Sequence, residues 1–348
     1  SARKTSRMRH QTILKILGIL LSLFSVSLVP PLVLSVVFSD HSQMAFLLSL
    51  VATLATGMAF YLPTRRQRRD LRLRDGFLVV VLSWTVLAAF GALPLLLSSN
   101  PLMSATDAFF ESMSGLTTTG ATVLVGIDDL PISIRYYRQQ LQWLGGMGII
   151  VLAVAVMPML GIGGMQLYRA ETPGPMKNTK LTPRITETAK ALWYIYLGLT
   201  VACALAYWLG GMTLFDAISH SFSTVAIGGF STHDNSIAYF DSPVISAIAA
   251  VFMIIAAMNF ALHFLALRRR SIAVYLLDTE VRVFVGLLLL VTVLTCILLW
   301  WSGTFGDGLK AFWHGAFQVI SIGTTTGFTT SEFHLWPSLL PVLLVMMS

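Results

Sequence analysis

Three short runs of threonine and glycine are the residues of this chain whose types and spacing could do chemistry. They are Thr117-Thr118-Thr119-Gly120, Ala226-Ile227-Gly228-Gly229 and Thr324-Thr325-Thr326-Gly327. Their last glycines lie 109 and 98 residues apart, so the tetrads recur at the interval of a repeated structural unit. None contains a carboxylate, an imidazole or a thiol. They offer backbone carbonyls, with threonine hydroxyls in the first and third. An extended tetrad can turn successive carbonyls toward one axis and replace the water around a small cation. Glycine serves this because it accepts φ > 0. A divalent ion would want carboxylate oxygens, so neutral carbonyls favour K⁺ or Na⁺.

Each tetrad has the same lead-in. Ser104-x-x-Asp107, Thr213-x-x-Asp216 and Thr304-x-x-Asp307 read as capping-box helix starts. About four turns of apolar and small residues follow, short of the roughly 20 that span a bilayer. The pattern predicts a half-helix dipping into the membrane and an irregular stretch returning outward. Irregular backbone is tolerated at that depth only against protein or a water-filled cavity. The half-helix would aim its negative C-terminal end at the ion. Capping accounts for the three Asp without catalysis. Glu111, His220 and Gln318 fall at one aligned position but differ chemically, which suits a structural role. A membrane enzyme built on intramembrane Asp or His is the alternative from another class.

The elements that must carry these tetrads are apolar spans. The 348 residues have a mean hydropathy of +0.76, with 55% hydrophobic and 11% charged, against about 25% charged in soluble domains. Spans are predicted at Ile13–Phe38, Met44–Leu62, Phe77–Leu97, Leu141–Leu160, Ala191–Leu209, Val244–Leu267 and Val283–Trp301, with another starting near Leu335. The first is too long for the h-region of a signal peptide and reads as retained. Of 23 Lys and Arg, all but Arg135, Arg138 and Lys310 fall on one side if the N-terminus and every second loop are cytoplasmic. Most of the 16 acids fall on the other side, where a negative mouth would concentrate cations. The net charge of +7 is thereby explained without nucleic acid. Cys203 and Cys296 lie inside apolar spans, and the seven His show no ligand spacing. Gly145-Gly146-Met147-Gly148 reads as close helix packing. The break at Gly161–Arg169 lacks the Lys-Ser/Thr of a phosphate-binding loop.

Longer runs carry a family resemblance. They are Asp107-Ala-Phe-Phe-Glu-Ser with Leu-Thr-Thr-Thr-Gly-Ala, Gln142-Trp-Leu-Gly-Gly-Met-Gly-Ile, Gly163-Gly-Met-Gln-Leu-Tyr-Arg-Ala-Glu171, Ala217-Ile-Ser-His-Ser-Phe-Ser-Thr with Ala-Ile-Gly-Gly-Phe-Ser-Thr-His233, and Thr324-Thr-Thr-Gly-Phe-Thr-Thr330. From about Ile13 onward the chain resembles the pore subunits of the Trk/Ktr/HKT potassium-uptake family. That resemblance implies an all-α integral membrane fold, with helix–re-entrant pore loop–helix units in a pseudo-fourfold arrangement. The expected parts are a two-span region with a basic cytoplasmic loop (1–75) and pore repeats at 76–170, 171–270 and 271–348, the third incomplete. Ser348 falls inside the second helix of that repeat, so three sides of a four-sided pore are expected here, and these alone are not expected to conduct selectively.

Carried over position by position, the filter is Thr117–Gly120, Ala226–Gly229 and Thr324–Gly327, holding K⁺ by carbonyls alone and needing no cofactor. Family logic links a small side chain at the first-repeat glycine to Na⁺ selectivity. Gly120 is intact, which favours K⁺ over a Na⁺-permissive relative. The resemblance also implies a homodimer in a bacterial inner membrane, N-terminus cytoplasmic, gated by a cytosolic nucleotide-binding subunit, TrkA, which the basic loop over 161–190 would face.

Overall fold

The computed structural model describes residues 10–66, 73–148, 185–337 and 339–347. The latter part of the predicted span Leu141–Leu160, the break at Gly161–Arg169 and the basic loop up to residue 184 lie outside the described residues. The regular elements among the described residues are helices, with no strand. The chain divides into two compact units: one from the N-terminal residues to Met113 with Pro131–Ile134, the other from Ser114–Leu130, Arg135–Met147 and the residues from Ala191 onward.

The first unit is led by α1 (His10–Ser27), α2 (Val29–Phe38), α3 (Gln43–Thr64), α4 (Leu73–Gly91) and α5 (Leu93–Leu97). Pro30-Pro31 fall in the first turn of α2, where a missing N–H does no harm, so α1 and α2 form one interrupted span. Helices α1 and α3 pack closely because two glycines meet. A Cβ on Gly18 would lie 2.8 Å from the Gly57 carbonyl, and one on Gly57 would lie 2.9 Å from the Ser22 amide nitrogen. Helix α6 (Ala105–Leu116) begins in this unit. The Ser104 hydroxyl accepts from the Asp107 amide (3.1 Å) and donates to the Asp107 carboxylate (2.7 Å).

The second unit takes up α7 (Ile132–Trp143) from Arg135 and holds the π-helical turn that follows, Leu144–Gly148, as far as Met147. It then contains α8 (Ile185–Leu209) from Ala191, α9 (Leu214–Val225), α10 (Pro243–Ala257), α11 (Phe260–Arg269), α12 (Ala273–Leu277), α13 (Thr279–Ser302), α14 (Gly308–Gly323) and α15 (Leu339–Val345). Its core gathers Tyr196, Cys203 and Tyr207 of α8, Val225 of α9, Ala249 and Met253 of α10, and Phe317 of α14. Helix α13 shows why lipid is needed. Only 22% of its apolar stretch is buried, and Trp300 and Trp301 stand exposed at its end, where indole rings favour the membrane interface.

Among the described residues, five helices or helix pairs are long and apolar enough to cross a bilayer, six if a bent pair counts as one. That pair falls on the predicted span Val244–Leu267, which is bent rather than straight. Helices α10 and α11 meet at 93°. Met258 is extended, and the Asn259 carboxamide caps α11 by accepting from the Ala261 amide (3.0 Å). One polar residue in an apolar run restarts the helix. At the bend the Ile255 carbonyl accepts from the Met258 amide (3.2 Å) and also meets the His263 ring at 3.0 Å, in keeping with the demand that buried backbone be satisfied.

Candidate ion-selectivity filter

Helices α6, α9 and α14 each run straight into a tetrad. Thr213 caps α9 as expected, accepting from the Asp216 amide (3.1 Å). The third start differs: Asp307, not Thr304, caps α14 by accepting from the Leu309 amide at 3.0 Å. Gly303 and Gly306 are left-handed there (φ 66° and 63°), which spends Thr304 on the turn. Helix α14 still has 16 residues against 12 in α6 and α9, because 16 residues rather than 9 separate its Asp from the tetrad.

All three helices end alike. The amides of Thr118 and Thr119 return to the carbonyls of Gly115 (3.0 Å) and Ser114 (2.9 Å). Those of Ile227 and Gly228 return to Thr224 (3.1 Å) and Ser223 (2.8 Å), and those of Thr325 and Thr326 to Ile322 and Ser321 (2.8 Å each). This is the paired bonding of a Schellman helix stop, whose turning residue is left-handed and usually glycine. Here it is Thr118 (φ 54°), Ile227 (49°) and Thr325 (61°). The fourth residue of each tetrad is left-handed too: Gly120 (77°), Gly229 (78°) and Gly327 (88°). Two steps apart, left-handed residues reverse alternate peptide planes. Among the described residues, Thr118, Ile227 and Thr325 are the only β-branched ones with positive φ. Such backbone costs roughly 1–2 kcal/mol per residue and persists where a functional arrangement over-determines it.

The tetrads also touch. A Cβ on Gly120 would fall inside van der Waals contact of the Gly228 carbonyl and 3.7 Å from that of Thr326; one on Gly229 would strike the Thr326 carbonyl. The twelve predicted residues thus come together in the second unit, at the ends of three short helices.

A family model described as "TrkH: Cation transport protein" matches residues 42–348. A Trk system potassium uptake protein TrkH from Halomonas elongata is 56% identical over 337 residues, covering 97% of this chain and 70% of the relative. Its counterpart from Escherichia coli K12 is 53% identical over 338 residues, with the same coverage of each. The crystal structure of the potassium transporter TrkH from Vibrio parahaemolyticus superposes with a TM-score of 0.86 at 51% identity, covering 98% of this chain and 70% of that one. The chain belongs to the TrkH family. It is a multi-pass membrane protein of a transporter family.

Several residues around the tetrads escaped the sequence reading. Ser114, Ser223 and Ser321 occupy the same place, six residues before each final glycine. Their carbonyls take the third amide of each tetrad. The Ser114 and Ser321 hydroxyls also donate to the carbonyls of Ala121 (2.6 Å) and Phe328 (2.7 Å), just past the tetrad. Aligning the copies exposes this serine. Gln142 and Arg138 of α7 give no such signal. Arg138 is fully buried, 4.4 Å over the Phe230 ring, and donates to the Ser231 carbonyl (3.2 Å) and the Thr122 hydroxyl (3.1 Å). His220 and Gln318 at the aligned position are both buried, and His220 acts as a brace. The His220 ring nitrogens meet the Asp216 carbonyl (3.0 Å) and the Ser231 hydroxyl (2.9 Å).

The glycines of the π-helical turn acquire a more specific meaning than packing. A Cβ on Gly145 would strike the Leu116 carbonyl, and one on Gly146 would lie 3.0 Å from Ala226. They admit the end of α7 against the first two tetrads, so substitution at Gly146 presses on Ala226 itself rather than on a remote helix.

Beyond the tetrads, the returning segments clasp each other. The Gly126 and Asp128 amides donate to the Asp234 carboxylate (2.9 and 3.3 Å), and the Asp234 amide donates to Asp128 (3.1 Å). His233 pairs with Asp128, lies 3.3 Å from Asp216 and stacks on Tyr239. Burial would raise the Asp128 carboxyl, but hydrogen bonds from His233 and the Asp234 amide hold it below its ordinary value. Burial would lower the His233 imidazole, and the Asp216 and Asp128 carboxylates overcome this and raise it.

Proposed function

We propose that this chain carries the carbonyl-lined filter of a K⁺-uptake pore in a bacterial inner membrane, with Thr117–Gly120, Ala226–Gly229 and Thr324–Gly327 as its ion-facing segments. The observation that carries this reading is the shared backbone of the tetrads. Left-handed residues at their second and fourth places present neighbouring carbonyls to a common space, and the tetrads meet backbone to backbone. A dehydrated K⁺ needs such a set of oxygens and no charged ligand. The names of the relatives support K⁺ as the transported ion.

In this reading the four sequence segments 1–75, 76–170, 171–270 and 271–348 are a peripheral two-span region and successive pore repeats. The positive-inside rule supports a cytoplasmic N-terminus. Thiol labelling of cysteines placed at Arg269 and Asp128 should then report opposite membrane faces, and same-face labelling would reject the orientation. The system assembles as a homodimer in the bilayer with the cytosolic subunit TrkA, an assignment resting on family likeness. Co-purification of a tagged with an untagged copy, and with TrkA, checks it, and recovery of single chains alone would refute it.

The filter assignment is tested by Gly120→Ser, Gly229→Ser and Gly327→Ser in the full-length protein. Flux of K⁺ and Na⁺ into proteoliposomes should show K⁺ preference lost before folding is. An unchanged ratio in all three, with normal folding, would falsify the filter.

A further inference from the structure

The second tetrad lacks the hydroxyls that brace the other two. In the first, Thr117 and Thr119 hydroxyls bond each other (2.7 Å), and in the third Thr324 and Thr326 do the same (2.8 Å). The second has Ala226 and Gly228 at those places. Its serine also behaves differently: the Ser223 hydroxyl turns back to the His220 carbonyl (3.3 Å), where Ser114 and Ser321 reach forward past the tetrad.

A side chain from another helix fills the gap. Gln142, on α7 and fully buried, donates through Nε2 to the Gly228 carbonyl (2.5 Å) and accepts through Oε1 from the Phe230 amide (3.0 Å). One carboxamide thus grips the tetrad on both sides of Gly229. Its helix is anchored beside it. The Trp143 indole donates to Thr200 (3.0 Å), its carbonyl accepts from Tyr196 (3.0 Å), and its ring stacks on Phe222 of α9 at 5.1 Å. Gly228 is the complement of this grip. It is not among the left-handed glycines, so backbone conformation does not demand glycine there. A Cβ at Gly228 would instead lie 2.6 Å from Gln142 Oε1 and 2.8 Å from Nε2, so the carboxamide fills the space a side chain at Gly228 would need.

We infer that Gln142 is a positioning residue for ion selectivity, supplying from α7 the brace that the first and third tetrads build from their own threonines. The inference rests on the filter reading above and names a residue outside the tetrads that tunes it. Orphaning a buried carbonyl and amide costs more than a hydrogen bond gains, and selectivity depends on where the carbonyls stand.

The test uses full-length protein in proteoliposomes, reading the K⁺/Na⁺ flux ratio beside thermal stability. Gln142→Met keeps the volume and removes both bonds; the ratio should fall about three- to tenfold, the scale of one or two net hydrogen bonds. Gln142→Glu keeps the acceptor for Phe230 and loses the donor to Gly228. It is read in place of Gln142→Met if that variant does not assemble, with the same fall expected. The decisive variant is Gln142→Ala combined with Gly228→Thr and Ala226→Ser, which rebuilds a hydroxyl pair in the vacated space. Serine is chosen at 226 because Gly146 stands close. It should recover most of the ratio that Gln142→Ala alone loses, which a merely structural role for Gln142 would not allow. A wild-type ratio in Gln142→Met, with Gly120→Ser still losing selectivity, overturns the brace and leaves the filter standing. So does a folded triple variant without recovery. If neither Gln142→Met nor any of the three filter-glycine variants moves the ratio, the filter reading falls and the brace falls with it.

Discussion

Gly229→Ala against Gly126→Ala separates the two demands that the tetrad geometry makes on a glycine. Both residues are left-handed (φ 78° and 70°), but a Cβ at Gly126 meets nothing within 4 Å, whereas one at Gly229 strikes the Thr326 carbonyl. At Gly126 only the left-handed cost applies, roughly 1–2 kcal/mol, offset by about 0.4–1 kcal/mol from a less flexible unfolded chain. The net loss is about 1 kcal/mol. At Gly229 the obstacle is backbone held by its own helix stop, so about 1–3 kcal/mol of overpacking adds to this, giving roughly 2–4 kcal/mol. The assay is thermal unfolding of the purified full-length protein in Na⁺ and in K⁺. An ion held by the native filter stabilises it by mass action. Wild type and Gly126→Ala should both gain stability from K⁺ beyond that from Na⁺. Gly229→Ala should start lower and lose that increment. Equal stability of the two variants, with the K⁺ increment intact in Gly229→Ala, would refute the argument from contact geometry.

Three further outcomes follow from the same structure. Gly57→Ala, which forces α1 and α3 apart, should lower the melting temperature by an overpacking cost of about 1–3 kcal/mol and leave the K⁺/Na⁺ flux ratio at its wild-type value; a changed ratio would contradict a purely packing role. Thr325→Gly removes a left-handed β-branched residue that is exposed, so stability should hold or rise by up to about 1 kcal/mol while the flux ratio falls; an unaltered ratio would show that the stiff side chain does not matter. The His233 ion pairs contribute fully below the imidazole's ordinary 6.5 and fade as pH rises through its raised folded value, while the Asp128 contribution is present above 3.8 and fades as pH drops below it; Asp128→Asn should therefore flatten the loss of stability above pH 6.5, and an unchanged pH profile would remove Asp128 from the pairing.

Spans and tetrads were legible because their signals are local. About 20 apolar residues suffice for the first, and a cap, a short apolar run and a Thr/Gly ending suffice for the second. The bend between α10 and α11 was not legible, since Asn259 is one of three polar residues in a long apolar run, with Ser246 and His263, and nothing local marks it as the break. The third helix start was misplaced by weighing Thr304 as a cap without the left-handed glycines on either side of it. Gln142 was invisible for a different reason. Its partners lie 86 and 88 residues away, and nothing near position 142 signals that a carboxamide is needed. Gly228 held half the clue, as a glycine where the sister tetrads have threonine, but glycine in such a tetrad already had an explanation in backbone freedom.

The use of Thr118, Ile227 and Thr325 where a helix stop ordinarily takes glycine ties these observations together. Glycine would spare the left-handed cost at each place, yet it would leave the peptide free to turn over. A β-branched residue has few alternative wells, and two returning amide bonds pin each one in place. The conformation is strained but singular. Strain of this kind must be held from outside the strained residue, and each copy shows what holds it: serine and paired threonine hydroxyls in the first and third, Gln142 in the second. The brace differs in chemistry while the backbone it secures does not, which identifies the backbone geometry, and with it the placement of the carbonyls, as what the surrounding side chains are arranged to preserve.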